Sequence, residues 1–283
     1  MTDFLVYDVF TDKAFGGNPL AVIPDAARIA ETDLQSIARE FNFSETTFVF
    51  PPEVGGDAKV RIFTPTSELQ FAGHPTVGTA VALSDLGRAG PEMVLELGVG
   101  PIPVTVSGRH ARFETRVPLS VSEAPGIDAV GAMIGQSGSA IRIDRHSPIT
   151  AGLGTGYVLA ELTDEAALTA ARPVADAFLD AGGADAKRLA LLVYLRDGNR
   201  IRARMFAPLG GIPEDPATGS AVAALAAWLG RQEGRSARFD VLQGVEMGRP
   251  SRIAAEVTVE DDEPVVVAIA GDAVKMMEGR LVL

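Results

Sequence analysis

The amino-acid sequence predicts an α+β fold of two pseudo-symmetric domains, each a barrel-like, mostly antiparallel sheet around a central helix. Three observations predict it. A motif recurs at half the length of the chain, an uncharged stretch long enough for a helix follows each copy, and an alternating segment precedes each copy.

The two copies are His74-Pro75-Thr76-Val77-Gly78-Thr79-Ala80-Val81-Ala82 and Asp215-Pro216-Ala217-Thr218-Gly219-Ser220-Ala221-Val222-Ala223. Pro75 and Pro216 stand 141 residues apart in a chain of 283, with Phe63-Thr64-Pro65 and Phe206-Ala207-Pro208 upstream. A recurrence at that spacing fits duplicated domains and not a short-period solenoid. From each proline to Ser84 and Gly230 no residue is charged, and a helix that is apolar all round has to be buried on all sides. Proline at the first helical position would start both helices. Ala58–Phe63 and residues 201–205 alternate in polarity, the mark of strands with one covered face.

The remaining elements follow from shorter signals. Thr32-Asp33-Leu34-Gln35 predicts a capping box, with Leu34, Ile37, Ala38 and Phe41 on one helical face. Residues 46–50, 95–106, 189–195 and 265–269 read as strands. Runs rich in Gly, Pro and Ser at 117–126 and 131–139 mark the boundary between the halves.

Composition excludes several function classes. Apolar residues make up 47% and charged residues 22%, a globular balance. There is no cysteine, so disulfides, thiolate nucleophiles, iron–sulfur clusters and cysteine zinc sites are excluded. The first ten residues carry Asp3 and Asp8 and no basic residue, unlike a signal peptide. No uncharged stretch reaches the length of a membrane span, and a cytoplasmic protein is expected. The net charge of −12 and pI of about 4.8 argue against nucleic-acid and membrane partners, whose phosphates such a surface repels.

His74 stands where a helix cap belongs, yet histidine is not a favoured cap. It is either a loop histidine satisfied by backbone groups or a functional one. Its counterpart Asp215 is a good cap, and taken alone it reads as structural; occurrence at duplicated positions turns both toward function. Gly78 and Gly219 sit inside helices, where glycine costs about 1 kcal/mol relative to alanine. Either tight packing or the close approach of a ligand would explain them. Backbone N–H groups at two helix starts are suited to anions, so a small anionic, carboxylate-bearing substrate is expected. Glu45 by itself is an ordinary loop glutamate. His110 and His146 have no ligand spacing, and no metal site is expected. Gly152-Leu153-Gly154-Thr155-Gly156 does not complete a dinucleotide fingerprint, and there is no P-loop.

The chain resembles the phenazine-biosynthesis PhzF-like isomerases. The resemblance is carried by Gly17-Asn18-Pro19-Leu20-Ala21-Val22, Asn42-Phe43-Ser44-Glu45-Thr46, Arg61-Ile62-Phe63-Thr64-Pro65, Ala72-Gly73-His74-Pro75-Thr76, Glu214-Asp215-Pro216-Ala217-Thr218-Gly219-Ser220-Ala221, and Gln243-Gly244 through Met247-Gly248-Arg249-Pro250-Ser251. It implies a diaminopimelate-epimerase-like fold, with domains at 1–118 and 119–270 and the segment 271–283 returning to the first. It also implies a homodimer without a cofactor, and isomerisation of the kind performed on trans-2,3-dihydro-3-hydroxyanthranilate. By motif, Glu45 is the acid/base, with His74 and Asp215 as its catalytic partners. Gly73, Gly219 and Ser220 bind substrate, and the residues are expected to converge on one cleft. Two rival expectations remain. One is a non-catalytic small-molecule-binding or scaffold protein on the same fold. The other is an amino-acid racemase or epimerase, which would place Thr79 and Ser220 where such enzymes use a pair of cysteines. A hydroxyl is a far poorer base than a thiolate.

Overall fold

The computed structural model describes residues 1–282. The chain forms two compact units, Met1–Thr115 together with the chain from Ala268 onward, and Arg116–Val267. Leu283, the end of the returning segment read from the sequence, lies outside the described residues.

The first unit contains β1 (Thr2–Val9), β2 (Asn18–Ile23), α1 (Glu31–Phe41), β3 (Glu45–Phe50), β4 (Ala58–Phe63), β5 (Glu68–Leu69), α2 (Gly73–Asp85), β6 (Glu92–Leu97), β7 (Gly100–Ser107) and β8 (His110–Thr115). The last strand of the chain (Glu263–Leu281) closes it. Around the barrel the order is β1, β2, β3, β4, β6, β7, β8 and this last strand, which pairs back to β1. The β2–β3 and β4–β6 pairs are parallel. Helix α2 fills the barrel. Every residue from Gly73 to Leu83 is buried, and the helix touches β1, β2, β3, β6, β7 and β8. Closure is possible because the helix surface is small. A Cβ on Gly78 would stand 2.6 Å from both Leu20 Cδ2 and Val9 Cγ2, so packing of helix on strand accounts for this glycine. Thr79 Oγ1 donates to Thr47 Oγ1 at 2.9 Å inside the same dry interface. Outside the barrel, α1 sets Leu34, Ile37 and Ala38 against Ile23, Phe48 and Phe63.

The second unit repeats this plan with β9 (Ser120–Glu123), α3 (Ile127–Met133), β10 (Ile149–Leu153), β11 (Thr155–Glu161), α4 (Glu165–Ala170), α5 (Ala175–Gly182), β12 (Leu191–Asp197), β13 (Arg200–Ala207), β14 (Ile212–Asp215), α6 (Gly219–Glu233), β15 (Ala237–Gln243), β16 (Ser251–Glu260) and the first residues of the last strand, β17. The strands follow one another as β9, β10, β11, β12, β13, β15, β16 and β17. Parallel pairs again fall at two places, β11–β12 and β13–β15. The duplication read from one motif therefore extends to strand order and direction. The central helix is α6, buried from Ala221 to Gly230 and touching β10, β11, β15 and β16. The outer helices α3, α4 and α5 pack Val130, Met133, Leu168 and Phe178 against Leu191, Val193 and Phe206. That is why β12 reads as the continuous run Leu191-Leu192-Val193-Tyr194: it is covered on both faces.

Several local readings need correction. Neither central helix begins at its proline. Helix α2 begins at Gly73 with Ala72 as cap, so His74 is a helical residue; α6 begins at Gly219 with Thr218 as cap, so Asp215 ends β14 and is not the cap of α6. Helix α1 is capped by Ala30 without a side-chain bond. Gln35 does not close a capping box, because its Nε2 donates to Thr64 O at 2.9 Å. Residues 95–106 form parts of two strands joined by a tight hairpin, and 265–269 lie inside one 19-residue strand. The stretch read as linker holds β9 and α3. Among the described residues no helix is long and apolar enough to cross a membrane.

Candidate active site

In each unit the segment before the central helix is tied to the barrel by the same device. Arg61 and Arg204 occupy outward positions on β4 and β13, two residues before Phe63 and Phe206. Each guanidinium lies over that ring, at 5.1 and 5.0 Å from the centroid. Each grips the glutamate of the next short strand through both nitrogens of the fork. Arg61 Nε and Nη2 donate to Glu68 at 2.7 and 2.8 Å, and Arg204 Nε and Nη2 donate to Glu214 at 2.8 and 2.9 Å. Planar bidentate bonding of this kind fixes direction as well as distance. The clamped strands lead into His74 and Asp215, so two residues of polar character are held where uncapped helices begin.

In the first unit this brings Glu45 and His74 together. Glu45 opens β3, paired in parallel with Leu20 of β2. Its side chain is only 13% exposed, so the expectation of an ordinary loop glutamate fails, and His74 is 3% exposed. Glu45 Oε2 lies 3.0 Å from His74 Nδ1. The approach lacks the alignment of a hydrogen bond. Among the described residues, Oε2 and His74 Nε2 are both buried without a hydrogen-bond partner. An unmade bond on a buried polar atom costs about 1–3 kcal/mol, and such exceptions concentrate where function requires them. Gly73 begins the helix beside them, and no side chain caps that start. Its N–H groups and the helix dipole favour an anion there.

In the second unit Asp215 is 5% exposed and accepts the Thr218 hydroxyl on Oδ2 at 2.5 Å. Gln243 is fully buried beside them. Its Nε2 donates to Asp215 O at 2.8 Å and to Thr218 Oγ1 at 3.1 Å, and its Oε1 accepts Thr218 N–H at 3.2 Å. Gly244 follows with φ of +74°, and a Cβ there would fall 2.5 Å from Arg249 O and 2.6 Å from Pro216 O. Only glycine lets this loop press against the segment that carries Asp215. Gly219 opens α6, whose start also lacks a side-chain cap. Ser220 Oγ lies 2.7 Å from Tyr157 OH.

Of the residues singled out in the sequence, Glu45, Gly73 and His74 are thus grouped in the first unit, and Asp215, Gly219 and Ser220 in the second. Thr79 is absorbed by its bond to Thr47 inside the barrel. His110 pairs with Asp272 on the surface at 2.8 Å. His146 bonds Tyr194 OH at 2.5 Å, and burial pushes that phenol above its ordinary range. Tyr157, Thr218 and Gln243 carried no assigned role. Thr218 and Gln243 lie within the matched motifs, and Tyr157 is one of three tyrosines in the chain, following the glycine-rich run that was set aside as an incomplete fingerprint. No group of three or more His, Cys, Asp or Glu among the described residues is arranged to hold a metal ion.

The phenazine biosynthesis-like protein (PhzC-PhzF) family model matches residues 7–279. An uncharacterized isomerase of Mesorhizobium japonicum is 37% identical over 297 residues, covering 99% of this chain and 98% of its own. A trans-2,3-dihydro-3-hydroxyanthranilate isomerase of Pseudomonas aeruginosa is 36% identical over 292 residues and is matched over the full length of both chains. The phenazine biosynthesis protein of the PhzF family from Bacillus anthracis superposes with a TM-score of 0.89, covering 100% of this chain and 99% of its own, at 24% identity. That likeness shows the shared fold, the diaminopimelate-epimerase-like architecture. With the family model and these relatives spanning the chain from end to end, the protein belongs to the PhzC-PhzF family of phenazine biosynthesis-like proteins and is an isomerase.

Proposed function

We propose that the protein is a cofactor-independent isomerase that moves a proton between carbons of a small carboxylate-bearing substrate, with Glu45 as the group that takes and returns it. The observation that supports this most is the buried pair Glu45 and His74, 3.0 Å apart, with Oε2 and Nε2 lacking hydrogen-bond partners among the described residues. A carboxylate that removes a C–H proton becomes the acid that delivers it to the second carbon, so the same side chain starts and ends the turnover unchanged. His74 beside it orients the substrate or relays the proton. Asp215 accepts a hydrogen bond from a substrate amine or hydroxyl. The uncapped helix start at Gly73, and the one at Gly219 beside the Ser220 hydroxyl, are each suited to a substrate anion. The full-length relative named as a trans-2,3-dihydro-3-hydroxyanthranilate isomerase supports a substrate of this class. A homodimer in the cytoplasm belongs to the same proposal, and light scattering tests the dimer.

The test is incubation with trans-2,3-dihydro-3-hydroxyanthranilate followed by chromatography with mass detection. The expected result is a new peak, separated from the substrate and of the same mass. Saturable binding of carboxylates without any isomer formed would favour a binding protein on the same fold.

A further inference from the structure

The cluster Asp215, Thr218 and Gln243 leaves no freedom in where its hydrogens lie. The Gln243 Nε2 has two hydrogens and two acceptors, Asp215 O and Thr218 Oγ1. Its Oε1 faces the Thr218 N–H. The reversed amide would set donor against donor at Thr218 N–H and acceptor against acceptor at Asp215 O, so one orientation is allowed. Thr218 Oγ1 accepts from the amide and has a single hydrogen of its own. That hydrogen points to Asp215 Oδ2 at 2.5 Å, the length of a hydroxyl donating to a carboxylate. All three residues are at least nine-tenths buried, at 0% for Gln243, 5% for Asp215 and 8% for Thr218.

We infer that Gln243 and Thr218 are positioning residues that fix Asp215 Oδ2 as a hydrogen-bond acceptor beside the second unit's central helix, so that Asp215 orients a substrate donor and does not itself carry the migrating proton. The two helix starts are built in opposite senses. Around Asp215 a polarised chain of donors runs from amide to hydroxyl to carboxylate. Around Glu45 and His74 two buried polar atoms have no hydrogen-bond partner among the described residues. The second half of the inference rests on the proposed isomerase reading; the direction of the hydrogen bonds does not.

Thr218→Ser and Thr218→Val test it by thermal melting and by kinetics with trans-2,3-dihydro-3-hydroxyanthranilate. Thr218→Ser keeps the hydroxyl and should track the wild type in both. Thr218→Val should melt about 2–4 °C lower or more at pH 7, the effect of losing a bond to a charged acceptor. In turnover Thr218→Val should raise KM about tenfold while kcat stays within about threefold. Should Thr218→Val not fold, Gln243→Met gives the same readouts, because it removes both amide donors without adding a buried charge and lets the Thr218 hydroxyl turn away from Asp215. A Thr218→Val variant that melts with the wild type, or a Thr218→Ser variant as damaged as Thr218→Val, would overturn the inference. The melting comparison needs no turnover, so a wild-type protein inert toward the probe would count against the substrate reading alone.

Discussion

Arg61 and Arg204 make the same fork with a glutamate, over the same phenylalanine position, in two different degrees of burial. That makes them a paired experiment. The Arg204 side chain is 3% exposed and Glu214 is 17% exposed. Arg204 Nη1 also donates to the carbonyls of Leu168, Thr169 and Ala171 at 2.9, 3.3 and 2.8 Å, closing the end of α4. Arg204→Ala removes the fork from a nearly buried carboxylate and a donor from those carbonyls, of which Thr169 O and Ala171 O keep Arg172 Nη1, and breaking a buried pair from one side costs about 3–5 kcal/mol. Arg61 is 21% exposed, and its partners Glu31 and Glu68 are 72% and 34% exposed. Water replaces much of what Arg61→Ala removes, and an exposed pair contributes about 1 kcal/mol or less. Urea denaturation of both variants, followed by far-ultraviolet circular dichroism, measures the contrast. The single tryptophan, Trp228 on α6, reports separately on the second unit. Arg204→Ala should shift the Trp228 transition strongly and Arg61→Ala should leave it in place. Because the Arg204 clamp holds the strand ending in Asp215, it should also lower kcat/KM. Equal losses in the two variants would refute the argument that burial sets the strength of the fork.

Two further predictions concern the first unit. Gly78→Ala gains about 1 kcal/mol of helix propensity but forces a methyl against Leu20 and Val9, where overpacking costs about 1–3 kcal/mol, so a net loss of about 0–2 kcal/mol is expected in urea; a stabilised variant would show that the barrel wall yields. The Glu96 carboxylate accepts the backbone N–H groups of Glu53, Val54 and Gly56 at 2.6, 2.8 and 2.8 Å, bonds that hold it below the usual carboxylate range. With the folded-state pKa lowered, its contribution is present above the unfolded value and lost as pH falls through the folded one. Glu96→Gln should therefore melt below the wild type at neutral pH, with the gap closing in acid; a gap that widens in acid would contradict this.

The sequence carried the architecture further than it carried the site. The spacing of Pro75 and Pro216 exposed the duplication because each central helix is sealed in its own barrel, and sealing removes charge from a whole stretch of chain. The same sealing explains Gly78. Helix starts were less legible. Proline fits the first turn at several positions, and the caps here, Ala72 and Thr218, make no side-chain bond to the backbone of the helices they open. Asp215 looked like a cap because its residue type is right and its local sequence is ambiguous. Its actual partners, Thr218 and Gln243, lie three and 28 residues away, and only the pairing of β13 with β15 brings the distant one near. Glu45 gave no local signal, since its burial depends on β2 and α2. The family motif alone marked it. Tyr157 was hidden because its bond to Ser220 joins β11 to α6 across 63 residues.

The central claim is that Glu45 takes the proton and returns it. Glu45→Gln keeps the shape of the side chain and removes its ability to accept a proton. General acid–base catalysis contributes about 10²–10⁴-fold, so the steady-state kcat for trans-2,3-dihydro-3-hydroxyanthranilate should fall at least about 100-fold with KM little changed. A Glu45→Gln enzyme that turns over this substrate near the wild-type rate would contradict the account and move the assignment to His74.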